Sequence, residues 1–390
     1  MSIEQLPDSA GQVVSANNDP RHTAAEQPPA FLQSRRGLLK GVMAGGGAAA
    51  AASLLAACTS GHNTTSTAGT GNFASTPKWR FVFVNHVTTN SFFVPTRYGM
   101  QDAAALLGVA DPQWTGSQGG VVSEMVSSFE TAISGGADGI AVALTDSSAF
   151  VEPIKAALAA GIPVIAYNAT APNNYALAYV GQDLYQSGVL MGQRIARDVT
   201  SGTILVGISQ PGGNNVQPRL DGIKAALAKA APAVTVHSVD TGADQAGELS
   251  AMESAYQGAQ DAKGLYAVDA GSTAGIAQLI AKQGIAGKVH AGGFDTLTDT
   301  INGVKTGALD FTIDQSAYLQ GFLSVLYLYL FRLSGTLVFP PATDTGLTFV
   351  TKDNVGPYAS AGSRFEGGTN KALVPMPKSI TLPPPSTVQL

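Results

Sequence analysis

The sequence predicts an α/β protein of two lobes, each a parallel sheet with helices on both faces. Three observations carry this. Short apolar runs recur at regular intervals from residue 78 to about 355. Helical patterns lie between most of them. The connections are short, in a chain that holds 45 glycines among 390 residues. Regular strand–helix alternation is the signature of parallel βαβ construction. Two such half-chains hinged together leave a cleft between two sets of strand ends.

The first strand, Arg80–Asn85, is the clearest element. Phe81, Val82, Phe83 and Val84 form a continuous apolar run, as expected for a strand covered on both faces. Thr88, Thr89 and Asn90 follow. Asn90 reads as the cap of a helix that starts near Phe92, passes Tyr98, Met100, Ala104 and Leu107, and stops near Gly108. Further strands are expected at Gln113–Thr115, Gly139–Ala143, Pro163–Tyr167 and Leu177–Val180. The second half supplies Thr203–Ile208, Val234–Val239, Gly264–Val268, Val289–Gly292 and Leu309–Ile313. Helices are expected at Val121–Ser134, Phe150–Ala160, Ser187–Val199 and Ala274–Gln283. Ala317–Leu333 is strongly apolar, but Gln320 and Arg332 shorten its clean stretch below the ~20 residues of a membrane span. It reads as a buried helix. Residues 357–390 are Gly/Pro-rich and read as mostly extended or disordered.

Residues 1–57 read as an export leader. Ser34-Arg35-Arg36-Gly37-Leu38-Leu39-Lys40 is followed by an uncharged Gly/Ala-rich run ending in Leu55-Ala56-Ala57-Cys58. A positive region, an apolar region and small residues before a cleavage point make a secretory signal. The paired arginines resemble a twin-arginine signal, with Leu38 where Phe is common. The last four residues resemble a bacterial lipobox, which implies cleavage before Cys58 and a lipid on its sulfur. Thr59–Thr76, rich in Ser, Thr, Gly and Asn, reads as a tether, so residues 58–77 link lipid to fold. Cys58 is the sole cysteine, which excludes an intramolecular disulfide.

Composition excludes several function classes. Charged residues make up 13% of the chain, about half the usual ~25%, and the net charge is −5. The body has no Lys/Arg run, so nucleic acid is not an expected partner. His22, His62, His86, His237 and His290 are scattered, and no pair has metal-ligand spacing. Gly207-Ile208-Ser209-Gln210-Pro211 begins like a nucleophile elbow but lacks the second glycine. Pro211-Gly212-Gly213 belongs to no phosphate-binding motif. No cofactor, metal or catalytic residue is expected.

What remains is a set of polar and aromatic residues at strand ends. Asn90, Phe92 and Phe93 follow the first strand, and Asn168 follows Val164–Tyr167. Arg219 lies after Thr203–Ile208, Asp269 after Leu265–Val268, Phe294 and Asp295 after Gly292, and Gln315 after Phe311–Asp314. The carboxyl edge of an open parallel sheet is where ligands bind. Aromatic faces cover C–H surfaces while amides, carboxylates and guanidinium groups bond hydroxyls, so the set suits a carbohydrate or polyol. Core packing is the other reading of Phe92 and Phe93, and acid/base catalysis the other reading of Asp269 and Asp295.

Residues 80 to about 350 resemble the sugar-binding group of type I periplasmic binding proteins, similar to ribose-, xylose- and autoinducer-2-binding proteins. The resemblance is carried by Asn90-Ser91-Phe92-Phe93, Gly136-Ala137-Asp138-Gly139-Ile140, Gly161-Ile162-Pro163-Val164-Ile165, Gly181-Gln182-Asp183, Arg219-Leu220-Asp221-Gly222, Gly293-Phe294-Asp295 and Thr312-Ile313-Asp314-Gln315. It implies two Rossmann-like lobes joined by a three-segment hinge. The first lobe would be residues 78–182 plus 316–343, and the second 183–315 plus 344–356. It implies a monomeric receptor that captures a small sugar or polyol and delivers it to an ABC permease at the outer face of the cell membrane. A receptor feeding a sensor and a secreted carbohydrate-active enzyme are the rival readings. The resemblance assigns ligand contacts to Asn90, Phe92, Phe93, Arg219, Asp295 and Gln315. Asp269 stands where ribose binders carry Asn. Ribose binders also have Asp-Arg where this chain has Asn168-Ala169, and Asn where it has Ala143. A solute other than ribose is therefore expected.

Overall fold

The computed structural model describes residues 76–336 and 339–371. The leader, Cys58 and the tether up to residue 75 lie outside the described residues. Two six-stranded sheets form the body. The first contains β1 (Phe81–Asn85), β2 (Gln113–Gly116), β3 (Gly139–Val142), β4 (Val164–Tyr167), β5 (Ala178–Gly181) and β11 (Ala342–Asp344). Its order is β11-β5-β4-β3-β1-β2, and every pairing is parallel. The second contains β6 (Ser201–Ile208), β7 (Ala233–Asp240), β8 (Gly264–Ala267), β9 (His290–Phe294), β10 (Phe311–Asp314) and β12 (Thr348–Val350). Its order is β12-β10-β9-β8-β6-β7, with only β12 antiparallel.

Burial explains the strand sequences. The inner strands β1, β3, β4 and β8 are buried at every position, so they carry continuous apolar runs rather than alternation. Edge strand β7 is never fully buried and reads Ala-Val-Thr-Val-His-Ser-Val-Asp. Large side chains sit beside small ones. Phe83 pairs in register with Ala141 of β3 and Trp114 of β2, and its ring packs edge-on against Tyr167 at 5.2 Å.

The helices are α1 (Val94–Leu107), α2 (Val122–Ser134), α3 (Val151–Ala159), α4 (Leu184–Asp198), α5 (Gln217–Ala230), α6 (Gln245–Gln257), α7 (Ala270–Gln283), α8 (Thr298–Thr306), α9 (Ala317–Ser334) and α10 (Gly356–Ser360). A single 3₁₀ turn, Ser91–Phe93, precedes α1. Asn90 accepts the Phe92 N–H at 2.9 Å there, and Gly108 closes α1 with φ 72°. Two helices begin earlier than their apolar pattern indicates, because an aspartate caps each. Asp183 accepts from Gln186 N at the start of α4, and Asp269 from Ser272 N at the start of α7. Helix α9 is buried along one side against α1 and the first sheet. Among the described residues no helix is long and apolar enough to cross a membrane.

The chain passes between the lobes after β5, after β10 and between β11 and β12. These passages are bonded to one another. Thr345 Oγ1 donates to Gln315 O at 2.8 Å, and Gln182 Nε2 donates to Gly346 O at 3.2 Å.

Within the described residues the tail corrects the sequence expectation; residues 372–390 lie outside them. Residues 357–371 are folded onto both lobes, not extended away from them. Helix α10 packs on α8 of the second lobe, and Tyr358 donates its hydroxyl to Asp314 at 2.8 Å. The chain then turns back to the first lobe. Phe365 stacks on Tyr318 of α9 at 4.2 Å, and Arg364 pairs with Asp102 of α1 at 3.0 Å while covering the Tyr98 ring. Prolines and glycines dominated the sequence reading of this stretch. Tyr358 and the adjacent pair Arg364 and Phe365 anchor it at two points.

An aromatic pair contributes about 0.5–1.5 kcal/mol beyond its burial. Phe365→Ala is therefore expected to destabilise the protein by about 1–2 kcal/mol and to lower the melting temperature by roughly 2–4 °C. A chain ending at Ala361 is expected to lose more, because the Arg364 pair goes too. Circular dichroism melting checks both. Melting of the shortened chain at the parent temperature would show that this segment is not docked.

Candidate ligand-binding cleft

The carboxyl ends of the two sheets face each other across a small cavity. It offers about 50 Å³ to the centres of water-sized atoms. One water needs ~10–15 Å³ by this kind of measure, so the space suits a small solute rather than an oligosaccharide. Eight of the nine residues singled out at strand ends line it: Asn90, Phe92, Phe93 and Asn168 from the first lobe, Arg219, Asp269 and Asp295 from the second, and Gln315 from the passage between them; the ninth, Phe294, is buried beneath Arg219.

The lobes are in contact around this cavity. The Asn214 backbone N–H donates to Thr145 O at 3.0 Å and its side chain to Leu144 O at 3.2 Å. Gln210 Nε2 donates to Gly120 O at 3.1 Å. Phe92 packs across the gap on Ala270, Ala274 and Leu297 of the second lobe. Phe93, buried in the first lobe, meets Phe92 edge-on at 4.7 Å and Trp114 at 5.6 Å. Phe92 thus faces ligand space and the opposite lobe, while Phe93 also belongs to the core.

Arg219 is 3% exposed. Its backbone is seated by the close passage of α4 and α5, where a Cβ on Gly188 would come within 2.1 Å of Arg219 O. Its guanidinium donates to Val268 O at 3.0 Å and Gln182 Oε1 at 3.1 Å, and lies 4.0 Å from the centre of the Phe294 ring. Its Nε is buried without a partner. Burial lowers the guanidinium pKa, and Asp295 opposes that shift. Asp295 is 4% exposed and has φ 72°, a left-handed conformation that Asp and Asn tolerate better than most residues. Burial pushes its carboxyl up to about 6, against the pull of Arg219.

A hydrogen-bonded chain joins the two sides. Asn168, also left-handed with φ 61°, donates to Gln320 Oε1 at 3.1 Å. Gln320 Nε2 donates to Gln315 Oε1 at 2.9 Å, and Gln315 Nε2 donates to Asp295 Oδ1 at 2.7 Å. Asn168 from the first lobe is thereby tied to Asp295 of the second through a glutamine on α9. Sequence reasoning noted Gln320 only as an interruption in an apolar helix. A buried amide in such a helix demands partners, and that demand was the available signal.

Five further polar residues line the cavity that sequence reasoning did not select: His86, Ser209, Gln210, Asn215 and Glu248. His86 follows β1, and burial lowers its pKa to about 4, so the ring is neutral near pH 7. Its Nε2 lies 3.3 Å from Asn215 Nδ2 across the gap between the lobes. His86 Nδ1 and Asn215 Oδ1 are both buried without partners. Asp269 serves two structural bonds, accepting from Ser272 N at 2.9 Å and Ser209 N at 3.0 Å. Among the described residues one group resembles a metal-ligand set, Asp198, His290 and Asp310. It is exposed, at the amino ends of β9 and β10, away from the cleft. Arg194 pairs with Asp198, and His290 with Asp310 at 3.1 Å.

Chemically the cleft offers buried donors, buried acceptors and an aromatic face to a small hydroxylated solute. Residues 81–331 match the family model described as periplasmic binding protein domain. The chain is 48% identical over 309 residues to the xylose/arabinose-binding protein of Sulfolobus acidocaldarius, covering 75% of this chain and 76% of that one. Among solved structures it is similar to an ABC transporter solute-binding protein of Burkholderia graminis in complex with D-arabinose. That likeness has 27% identity and a TM-score of 0.68, and covers 73% of this chain and 99% of that one. It is also similar to a carbohydrate transporter of Acidothermus cellulolyticus in complex with myo-inositol, with 26% identity, a TM-score of 0.66, and coverage of 74% and 100%. The chain belongs to the periplasmic binding protein domain family.

Proposed function

We propose that the protein captures a small sugar or polyol between its lobes and delivers it to the permease of an ABC importer. One observation carries this reading. Arg219, Asp295, Asp269 and Gln315 converge with Asn90, Asn168 and Phe92 on one small cavity between the lobes. Two-lobed receptors of this kind bind by closure, since contacts from both lobes exist together only when the lobes meet. The relative and neighbours named above, which bind xylose or arabinose, D-arabinose and myo-inositol, support the solute class. The departures at Asn168, Ala169 and Ala143 fit a small sugar other than ribose, or a short polyol. The leader adds the setting. Export by a twin-arginine route and a lipid on Cys58 hold the receptor at the outer face of the cell membrane, beside its permease.

A thermal-shift screen against pentoses, hexoses and polyols tests the solute class. A ligand at 100 times its Kd adds about 2.7 kcal/mol of stability. Absence of any shift across the panel would overturn the reading. With the best ligand, Asp295→Asn and Arg219→Ala are each expected to weaken binding by roughly 10- to 150-fold, the loss of a charged hydrogen bond worth about 1.5–3 kcal/mol. Titration calorimetry reads both. Protonation removes the Asp295 charge and turns one of its acceptor oxygens into a donor, so parent affinity should fall as pH drops below about 6. Asp295→Asn should lack that dependence.

The anchor has its own test. Cys58→Ser is expected to move the exported protein from the membrane fraction to the soluble one. Arg35→Lys with Arg36→Lys is expected to block export. Membrane retention of the Cys58→Ser variant, read by fractionation and blotting, would overturn the lipid anchor.

A further inference from the structure

His86 and Asn215 meet across the gap between the lobes. His86 directly follows β1 of the first lobe and is buried. Phe93 meets its ring edge-on at 5.5 Å, and Gly120 N donates to its carbonyl at 2.9 Å. Asn215 sits in the turn between β6 and α5 of the second lobe. Gly213 N donates to Gln210 O at 2.9 Å and Gln217 N to Gly213 O at 2.8 Å, which fixes that turn. The Asn215 amide oxygen lies over Gly213, where a Cβ would come within 2.8 Å of it. Its Nδ2 is turned to His86 Nε2, 3.3 Å away.

This pairing sets the protonation state of the ring. An amide nitrogen only donates, so Nε2 accepts and carries no proton. The ring proton is therefore on Nδ1, which has no protein partner. An imidazolium would set Nε2–H against an N–H. The Gly213–Val216 turn and the 3₁₀ turn bearing Phe93 hold no ionisable residue. The loop bearing Gly120 leads to Glu124, whose carboxylate accepts from Ser117. Around the cavity stand Arg219, Glu248, Asp269 and Asp295, with Asp244 at the start of α6. None of these groups bonds the ring to offset a charge there. Burial accordingly lowers the His86 pKa to about 4, against about 6.5 in water.

The same turn makes three other contacts with the first lobe, from Asn214 to Thr145 O, to Leu144 O and to Ser147 Oγ. Those groups do not titrate between pH 5 and 8, whereas an imidazole in water does. We propose that His86 and Asn215 form a proton-gated seam: closure on the solute requires the neutral His86 ring, so capture expels a proton from it. This inference rests on the sugar reading and on closure of the lobes. With the lobes parted, the ring meets water and is protonated at mildly acidic pH. On closure the Nε2–H bond breaks, the proton passes to water, and the freed lone pair accepts from Asn215 Nδ2. His86 is thus a positioning residue for capture.

The sign follows from linkage. The closed state binds fewer protons, so the His86 contribution to affinity is full above about 6.5 and is lost as pH falls towards about 4. Titration calorimetry of the purified full chain with D-xylose, L-arabinose and myo-inositol tests this. The His86 part should lower parent affinity about tenfold between about pH 7.5 and about pH 5.5. Asp295 adds its own fall, which Asp295→Asn removes while keeping the His86 part. His86→Ala should bind several-fold more weakly even at about pH 7.5. His86→Gln, whose amide oxygen accepts from Asn215 at any pH, should recover most of that loss. It should also fall about tenfold less than the parent on acidification. In buffers of different ionisation enthalpy it should release about one proton fewer per solute at about pH 5.5. Asn215→Asp sets a carboxylate against Nε2, favours the imidazolium and should also shrink the fall. Melting without ligand shows that each variant is folded. An equal fall in the parent and His86→Gln, or equal proton release, would overturn the proposal and leave the sugar reading standing. Binding of none of the probes by the parent at either pH would overturn the sugar reading, and this proposal with it.

Discussion

The burial of one guanidinium constrains the centre of the molecule. Arg219 is taken out of water without a full salt bridge, so its surroundings must supply what solvent no longer does. The Val268 carbonyl, the Gln182 amide and the face of Phe294 do so, and Asp295 supplies the opposite charge nearby. Gln182 lies in one passage between the lobes, and Asp295 is bonded to Gln315 in another. Satisfying this cation therefore couples the cavity to the passages between the lobes. The glycine contact at Gly188 seats the backbone that carries it.

Most of the architecture was legible because fully buried strands write themselves as apolar runs. All ten strands expected from the sequence are present with shifts of a residue or two at their ends. Strands β11 and β12 escaped because three residues carry no periodicity. The starts of α4 and α7 were misplaced because an aspartate cap extends a helix past its apolar pattern. At the cavity, topology alone brings strand ends together, which made many residues after strands legible. His86 after β1 and Ser209 and Gln210 after β6 were missed, because nothing in their local sequence marks them. Glu248 and Gln320 were not legible either. Each lies inside a helix, where the sequence does not distinguish a polar residue facing water from one facing a buried partner.

Polar burial is also what makes the two lobes act as one unit. Asn168, Gln320, Gln315 and Asp295 form a continuous hydrogen-bonded chain from one sheet to the other. Gln320 and Gln315 each both donate and accept, so displacing either leaves two groups unsatisfied in a dry interior. The unpartnered atoms of His86, Asn215 and Arg219 mark where the network is incomplete. A hydroxyl, which both donates and accepts, is the group that such a mixed set can complete.

The docked segment after α10 changes the economics of closure. A receptor whose lobes are joined by few strands surrenders considerable rotational freedom when they come together, and its ligand must offset that loss. Here a further stretch of chain is pinned to the second lobe through Tyr358 and to the first through Arg364 and Phe365. A short tether of this kind holds one surface at high effective concentration near the other. Less motion remains to be frozen out by the solute. A neutral molecule with a handful of hydroxyls, able to form only a few bonds, can then be held without charge of its own.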